Sequence, residues 1–211
     1  MRKLLLGLRL PGQLPEGQGG SVARQTLFFC AFFCTGFLAL PPKTARADSC
    51  PLPAVARYIA THSRPPQPLP VSLQIAASLE AASRRTSLPL YLLLAVAQQE
   101  SSFDPGAINP ASGDYGLFQV HYEFWRTRLS KRSPGGLREL RRSDLLGIDV
   151  NVRAAALILA YDLRLSGGDP VGMLGRFSGR SGEAHRRYVE GVLAKGMGFL
   201  DTLSRQGLRC R

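Results

Sequence analysis

The sequence predicts an all-α fold, and three observations lead to this prediction. Apolar side chains recur every three to four residues in most segments after residue 50, which is the spacing of one face of a helix. Glycines stand directly after several of these segments, as they often do after helix C-termini. The 211 residues are 45% hydrophobic with charges of both signs, a composition that builds a packed core and excludes a disordered chain.

Residues 1–47 predict a basic leader and a signal peptide. Residues 27–40 (LFFCAFFCTGFLAL) are uncharged and follow the basic Arg24, and Ala45-Arg46-Ala47 forms a small-x-small cleavage signature. Two alternatives stay open, a buried core helix for the apolar run and a translation start later than Met1. No apolar run reaches the roughly 18–20 residues of a membrane span, so no transmembrane anchor is expected after signal cleavage.

The rest of the chain divides into three predicted parts. Residues 48–70 contain a proline-rich stretch and predict an N-terminal connector, residues 71–200 predict the folded domain, and residues 201–211 predict a C-terminal tail. Four helices are predicted at 71–85, 90–100, 151–165 and 183–195, the last one ending at Gly196. Loops rich in Gly, Pro, Asn and Ser are predicted at 104–116, 130–136 and 175–182.

The helix predicted at 90–100 ends on an acid in an apolar setting. The segment LYLLLAVAQQE is apolar nearly all round, which predicts burial at the centre of the domain. Glu100 shares a helix face with Leu93, Val96 and Ala97. Burial and the negative end of the helix dipole both disfavour its ionised form, so they favour a protonated general acid. The alternative is a solvated acid at the end of a helix.

The cysteines predict one disulfide. Cys30 and Cys34 lie in the predicted signal segment, whereas Cys50 and Cys210 stand at the two ends of the mature chain. In an oxidising compartment such a pair joins the termini of the domain. The alternative is two free thiols.

Two neighbouring segments carry a family resemblance. Residues 100–104 read ESSFD, and residues 114–120 read DYGLFQV. This pair resembles the lytic transglycosylases of the lysozyme superfamily, in which a helix ends in Glu-Ser and a Gly-Leu-Met/Phe-Gln segment follows a loop. Residues 151–157, 176–179 and 188–192 are similar to later family segments, so that the resemblance covers about residues 89–195.

The resemblance implies a lysozyme-like domain, of the kind seen in goose-type lysozyme, that cleaves peptidoglycan. It implies that the bond between N-acetylmuramic acid and N-acetylglucosamine is cut with formation of a 1,6-anhydro sugar, and that Glu100 is the single catalytic acid. A larger set of residues is implied to bind the substrate: Ser101 and Gln119 through hydrogen bonds, Gly116 through a close backbone approach, Tyr115 as a wall, and also Asn151, Phe177 and Ser178.

One position departs from the family pattern. The family usually has a tyrosine where Phe177 stands, and its hydroxyl is expected to contact the catalytic glutamate. Three alternatives follow: Tyr188 supplies that hydroxyl, Tyr161 supplies it, or the alignment shifts by one residue across 175–182. If position 177 lies beside Glu100 without a hydroxyl, the pKa of Glu100 is expected to be higher than with a tyrosine there.

The resemblance also implies where the protein works. The DYGLFQ form is similar to small family members that serve secretion, conjugation or pilus machines, so such an assembly is an expected partner and the periplasm the expected location. No cofactor is implied. No metal site is expected either, because His62, His121 and His185 have no ligand spacing with each other or with cysteine.

Two other functions stay open at this point. A hydrolytic muramidase on the same fold would use Asp114 or Asp104 as a second carboxylate. The basic run at 126–142 contains seven Lys/Arg and one acid, a pattern that is also found in nucleic-acid-binding modules. That run lacks interleaved aromatic residues, so we interpret it as a solvated or docking surface and expect no nucleic acid as partner.

Overall fold

The structure, a computed structural model, describes residues 50–126 and 140–210. The predicted signal segment 1–47 and residues 127–139 of the basic run lie outside the described residues. The elements follow in the order α1 Leu52–His62, α2 Leu69–Thr86, α3 Leu90–Ser101, β1 Ile108–Asn109, β2 Asp114–Tyr115, β3 Val120–His121, α4 at 122–126, a 3₁₀ helix Arg142–Leu146, α5 Ile148–Leu165, α6 Pro170–Ser178 and α7 Gly182–Arg205. The predicted all-α fold is therefore confirmed as a mostly helical domain, to which the structure adds a small sheet.

Helix α3 lies at the centre of the domain, as its apolar sequence predicts. Every residue from Leu92 to Ala97 is buried, and α3 packs most extensively against α7. The two helices come close at Gly196, where an added Cβ would lie 3.3 Å from a ring carbon of Tyr91. Gly196 therefore serves close packing, and the prediction that it ends the last helix is wrong, since α7 continues to Arg205.

A small antiparallel sheet replaces part of the predicted loop at 104–116. Its strands are ordered β1-β2-β3, with Ile108 opposite Tyr115 and Tyr115 opposite Val120. Each strand has only two residues, which is too short to show the two-residue alternation that identifies strands in a sequence. The hairpins bring the segment DYGLFQV back beside the end of α3, where Ser101 contacts it.

The segment expected to be a connector contributes to the core. Within 48–70, α1 buries Val55 and Ile59 completely and packs against α2. The predicted tail is also partly helical and ends at the disulfide between Cys50 and Cys210, which joins α1 to the end of α7. The predicted pairing of these cysteines is thus present in the structure. The domain accordingly includes both ends of the described chain.

No helix is predicted between residues 165 and 183, but α6 covers Pro170–Ser178, so the loop predicted at 175–182 is wrong over residues 175–178. The helix begins at Pro170, and the side chain of Asp169 accepts hydrogen bonds from the backbone N–H groups of Val171 and Gly172. Such a cap satisfies donors that the first helical turn leaves free. The helix packs against α5 and α7, and its C-terminal end reaches the cleft described next.

Candidate active site

A cleft of about 380 Å³ lies at the C-terminal end of α3. One wall is built by β2, β3 and the residues next to them, and the other by the end of α6 and the turn that follows it. The lining residues are Glu100, Ser112, Asp114, Gln119, Val120, His121, Phe124, Trp125, Ile158, Arg176, Phe177, Ser178, Gly179 and Arg180. Glu100 is therefore located in an open cavity that also contains aromatic and charged side chains.

Tyr188 orients the carboxyl group of Glu100. Its hydroxyl donates a hydrogen bond of 2.5 Å to Oε1 of Glu100, across 88 residues of sequence. Tyr188 lies on α7 and is only 3% exposed, so the hydroxyl is held in place by packing. The guanidinium of Arg180 lies 4.9 Å from the centre of the same ring, within the range of a cation–π contact.

The cleft favours the protonated form of Glu100. Burial raises the pKa of Glu100, while the hydrogen bond from Tyr188 and the positive charge of Arg180 lower it, and the negative charge of Asp114 raises it again. Burial is the largest of these effects, and the net result is a pKa above the usual range of a glutamate. Burial, together with the charge of Glu100, also raises the pKa of Tyr188, which therefore stays a hydrogen-bond donor.

Ser101 connects α3 to the sheet rather than facing the cleft. Its hydroxyl donates a 2.8 Å hydrogen bond to the carbonyl of Leu117 and lies 3.3 Å from the carbonyl of Ala97. Helix α3 ends immediately afterwards, at Ser102 and Phe103, whose φ angles of 53° and 63° are left-handed. The Glu-Ser pair thus carries two different tasks, since Glu100 lines the cavity and Ser101 fixes the next segment against it.

Asn151 is a structural clamp, which corrects its predicted role as a substrate-binding residue. It is 1% exposed. Its Nδ2 donates to the carbonyls of Tyr115 and Leu145 at 2.8 and 2.7 Å, and its Oδ1 accepts the N–H of Phe118 at 2.9 Å. The amide thus already donates both N–H groups and accepts a hydrogen bond, and no surface is left for a sugar.

Gly116 makes room for that clamp. Its φ is +74°, and an added Cβ would lie 2.4 Å from Nδ2 of Asn151 and 2.3 Å from the carbonyl of Leu145. The close backbone approach predicted at this glycine therefore exists, but its partners are protein atoms rather than the glycan. Gly116 is buried and does not line the cleft.

Gln119 and Tyr115 differ in their positions. Gln119 lines the cleft, but its Nε2 donates to the carbonyls of Ala107 and Gly116 at 3.2 and 3.0 Å. Both N–H groups are used, so Gln119 can offer a sugar only its Oε1 acceptor. Tyr115 is half-buried and packs against the core, and it does not line this cleft, so its predicted role as a wall stays a prediction.

Phe177 and Ser178 lie in the cleft wall at the end of α6. Phe177 contributes an apolar surface, and the hydroxyl of Ser178 contacts the carbonyl of Gly175 and the N–H of Arg180, both at 3.3 Å. Of the alternatives for the missing hydroxyl, Tyr188 makes the contact with Glu100. Tyr161 instead packs edge-on against Trp125, at 6.4 Å between ring centres.

Of the two candidate second carboxylates, only Asp114 lies in the cleft. Its Oδ2 accepts a 2.5 Å hydrogen bond from Ser112, and its Oδ1 lies 3.4 Å from Nδ1 of His121. Asp104 instead accepts a hydrogen bond from the backbone N–H of Gly106, as a turn residue does. A second acid is therefore present near Glu100 but is already bound to its own neighbours.

Several lining residues were not singled out from the sequence. Phe124 and Trp125 follow β3 directly, and their rings lie 5.0 Å apart in an edge-on arrangement. Arg180 follows α6 and faces the same cavity. The available signal was the position of two aromatic residues just after the DYGLFQV segment, since aromatic faces are suited to packing against sugar rings.

Within residues 50–126 and 140–210, no group of three or more His, Cys, Asp and Glu side chains could hold a metal ion. No helix in this part of the chain is long and apolar enough to cross a membrane.

A comparison with protein families identifies the domain. The model described as "Transglycosylase SLT domain" matches residues 77–176, just under half of the chain. The matched segment runs from within α2 to within α6 and includes Glu100 and all three strands, whereas Tyr188 lies beyond it. No curated protein matches the chain significantly. Residues 77–176 therefore match a transglycosylase SLT domain on a mostly helical, lysozyme-like fold, and this domain indicates a lytic transglycosylase enzyme and implies a peptidoglycan substrate.

Proposed function

We propose that Glu100 is the one side chain that transfers protons during the cleavage of peptidoglycan. The observation that carries this proposal is the position of its carboxyl group, which lies in the cleft with the Tyr188 hydroxyl 2.5 Å from Oε1. Burial raises its pKa above the usual range of a glutamate, which favours the protonated carboxyl group. A general acid needs this protonation state at the start of the reaction.

In the first step, Glu100 gives its proton to the glycosidic oxygen between N-acetylmuramic acid and N-acetylglucosamine. The bond from C1 of the muramic acid to this oxygen breaks, and the bonding electron pair leaves with the N-acetylglucosamine. Glu100 becomes a carboxylate, which the hydrogen bond from Tyr188 and the charge of Arg180 stabilise. These two contacts are worth more after the proton has left than before, so they favour the transition state.

In the second step, the C6 hydroxyl of the same muramic acid attacks C1. Its proton passes to the carboxylate of Glu100, which restores the starting form of the enzyme, and the product is a 1,6-anhydro sugar. The attacking group is part of the substrate, so its effective concentration is high and no water has to be activated. A single carboxyl group is sufficient for this sequence of steps.

The aromatic wall and Gln119 support substrate placement. Trp125, Phe124 and Phe177 offer apolar surface in the cleft, and Oε1 of Gln119 can accept a hydrogen bond from a hydroxyl or N-acetyl N–H of a sugar. Ser101 and Asn151 support this placement indirectly, because their hydrogen bonds to backbone groups hold the segment that carries Gln119. Gly116 leaves the room that Asn151 needs.

Hydrolysis is the second candidate, and Asp114 is the observation that favours it. Asp114 lines the same cleft as Glu100 and could direct a water molecule or stabilise the positive charge at C1. The hydrogen bond from Ser112 and the contact with His121 hold its carboxyl group in place on the cleft wall.

Product analysis separates the two reactions. Purified sacculi are digested with the mature protein, and the fragments are examined by mass spectrometry. We expect 1,6-anhydro ends, which are ~18 Da lighter than the reducing ends that hydrolysis leaves. Reducing ends as the main product would assign the protein to the hydrolytic candidate.

Replacement of the acid tests its role. Glu100→Gln keeps the size of the side chain but removes the proton, and we expect a loss of ~10²- to 10⁴-fold or more in turnover with an unchanged circular dichroism spectrum. Glu190→Gln, at an exposed position of α7, is the matched control and should keep wild-type activity. Turnover of Glu100→Gln at the wild-type rate would remove this residue from the mechanism.

We further propose that the protein is exported to the periplasm and opens peptidoglycan locally for a secretion, conjugation or pilus apparatus. The disulfide between Cys50 and Cys210 supports export, because such bonds persist in oxidising compartments. The resemblance of the DYGLFQ segment to members that serve such machines supports the second part.

In the producing cell, we expect the chain in the periplasmic fraction without residues 1–47. A chromosomal Glu100→Gln substitution should impair the machine but not growth, and normal function of every such machine would contradict this role.

A further inference from the structure

The cleft contains two arginines that make no salt bridge in the described part of the chain, although the charge of Arg180 acts on Glu100 and that of Arg176 on Asp162. Arg176 and Arg180 both line the cavity, four residues apart, and both are exposed. The opposite wall of the cleft carries a negative charge instead, on Asp114, whose carboxylate lies 3.4 Å from Nδ1 of His121. Among residues 50–126 and 140–210, neither Arg176 nor Arg180 makes an ion pair, although surface arginines such as Arg186 and Arg205 do.

Arg180 is also held in place. Its guanidinium stacks over the ring of Tyr188 at 4.9 Å, and Tyr188 is itself bonded to Glu100. A guanidinium fixed in this way has lost part of its conformational freedom before a ligand arrives, and its planar group suits a carboxylate. The position of a positive charge near Glu100 is thus defined by the fold.

Peptidoglycan carries its negative charges on the peptide stems rather than on the sugar rings. The N-acetylated sugars are neutral, whereas the stem attached to the lactyl group of muramic acid contains free carboxylates. If the bond to be cleaved lies at Glu100, the stem of the same muramic acid begins on the reacting sugar ring and therefore starts inside this cleft. The wall that carries Asp114 repels a carboxylate, while the wall at the end of α6 attracts one.

We propose that Arg176 and Arg180 form a subsite for the carboxylates of the peptide stem, so that the enzyme selects glycan strands with charged stems. This inference rests on the proposed position of the scissile bond at Glu100. In this proposal the two arginines at the end of α6 distinguish charged from uncharged stems, whereas Glu100 cleaves the glycan in both cases.

The test compares one glycan in two charge states. Soluble fragments of several disaccharides with their peptide stems are used as prepared, or after conversion of their free carboxylates to amides with carbodiimide and excess ammonia. Binding is followed by the fluorescence of Trp125, which lines the cleft and is the only tryptophan of the chain. The titrations are made with Glu100→Gln, so that no turnover occurs.

We expect the charged fragments to bind about fivefold more tightly than the amidated ones, which corresponds to two exposed ion pairs of modest strength. Added salt should weaken binding of the charged fragments only. Introducing Arg176→Gln and Arg180→Gln together should bring the ratio of the two affinities to about one. Arg205→Gln removes one positive charge at the far end of α7 and should keep the ratio.

Because each ratio compares two substrates on one variant, an effect of Arg180 on Glu100 cancels from it. Equal affinities of the two fragments for the parent protein would overturn the proposal, as would a ratio that survives the double arginine replacement. The binding ratio is measured without turnover, so its outcome is independent of the reaction type. Absence of 1,6-anhydro products with wild-type protein would instead refute the proposed function.

Discussion

The hydroxyl of Tyr188 should control both the rate and the pH dependence of the enzyme. Tyr188→Phe removes the 2.5 Å hydrogen bond to Glu100 but keeps the buried ring of this α7 residue, over which Arg180 lies. A hydrogen bond to a charged group contributes roughly 1.5–3 kcal/mol. This bond gains its full strength only as Glu100 becomes a carboxylate, so we expect turnover to fall by about ten- to one-hundredfold.

The pH profile gives the second readout. The hydrogen bond from Tyr188 lowers the pKa of Glu100, so its removal raises that pKa further above the usual range of a glutamate. The enzyme needs protonated Glu100 for the first step, and activity therefore declines as pH rises through this pKa. The alkaline limb of kcat should consequently move to higher pH in Tyr188→Phe, even though the rate at the plateau is lower.

Turnover of soluble glycan strands between about pH 4 and pH 9, with anhydro products quantified, measures both effects. Tyr91→Phe is the matched control, because Tyr91 is 38% exposed on α3 and lies away from the cleft. An alkaline limb that stays in place or moves to lower pH would refute the assigned role of the hydroxyl. Thermal melts of both variants exclude unfolding as the cause of a lower rate.

Three further predictions concern groups around the site and the termini. Asp114→Asn removes a negative charge that raises the pKa of Glu100, so the alkaline limb should move to lower pH while anhydro products persist; a switch from reducing ends to anhydro ends would instead indicate hydrolysis in the wild type. Burial raises the pKa of Asp162 to about 6, and its Oδ2 has no hydrogen-bond partner in the described structure. This group's contribution to stability is complete below its unfolded pKa of ~3.9 and is lost as pH rises through about 6. Asp162→Asn should therefore raise the melting temperature at pH 7 but not at pH 4, and equal melting temperatures at pH 7 would contradict this. Native protein should show no free thiol at Cys50 or Cys210. Reduction should lower stability by up to ~4–5 kcal/mol in the chain-entropy model without loss of the helical spectrum, and two titratable thiols before reduction would refute the pairing.

The helices that could be predicted are those with a long periodic sequence. Elements α2, α3, α5 and α7 have 12 to 24 residues, enough for several repeats of the helical spacing. Helix α1 has only 11 residues and precedes a proline-rich stretch. The prolines made the whole segment resemble a connector, so the helix was not predicted. The strands have two residues each, and they form because the hairpins pair them, a contact that no local pattern records.

For the site, local chemistry predicted the acid but not the tasks of the polar residues around it. Glu100 stands out because an ionisable group among Leu93, Val96 and Ala97 conflicts with its surroundings. Asn151 is uncharged, so its sequence neighbours do not mark it as unusual in the same way. Whether Asn151 binds a sugar or the protein depends on carbonyl and N–H groups up to 36 residues away, and the structure supplies all of them.

The hydroxyl beside Glu100 shows how the same chemistry can come from another element. Phe177 stands where a tyrosine was expected, and the sequence alone leaves open whether Glu100 has any hydroxyl partner. The structure places Tyr188 of α7 there instead, while Phe177 remains in the wall of the cleft. Of the alternatives left open, Tyr188 is the one that makes this contact, and burial still outweighs its hydrogen bond and keeps the pKa of Glu100 raised. A tyrosine introduced at position 177 would compete with an existing donor rather than fill a vacancy. Its effect on the pH profile should accordingly be smaller than the opposite shift caused by Tyr188→Phe, and a larger effect would mean that Tyr188 is not the donor on which Glu100 depends.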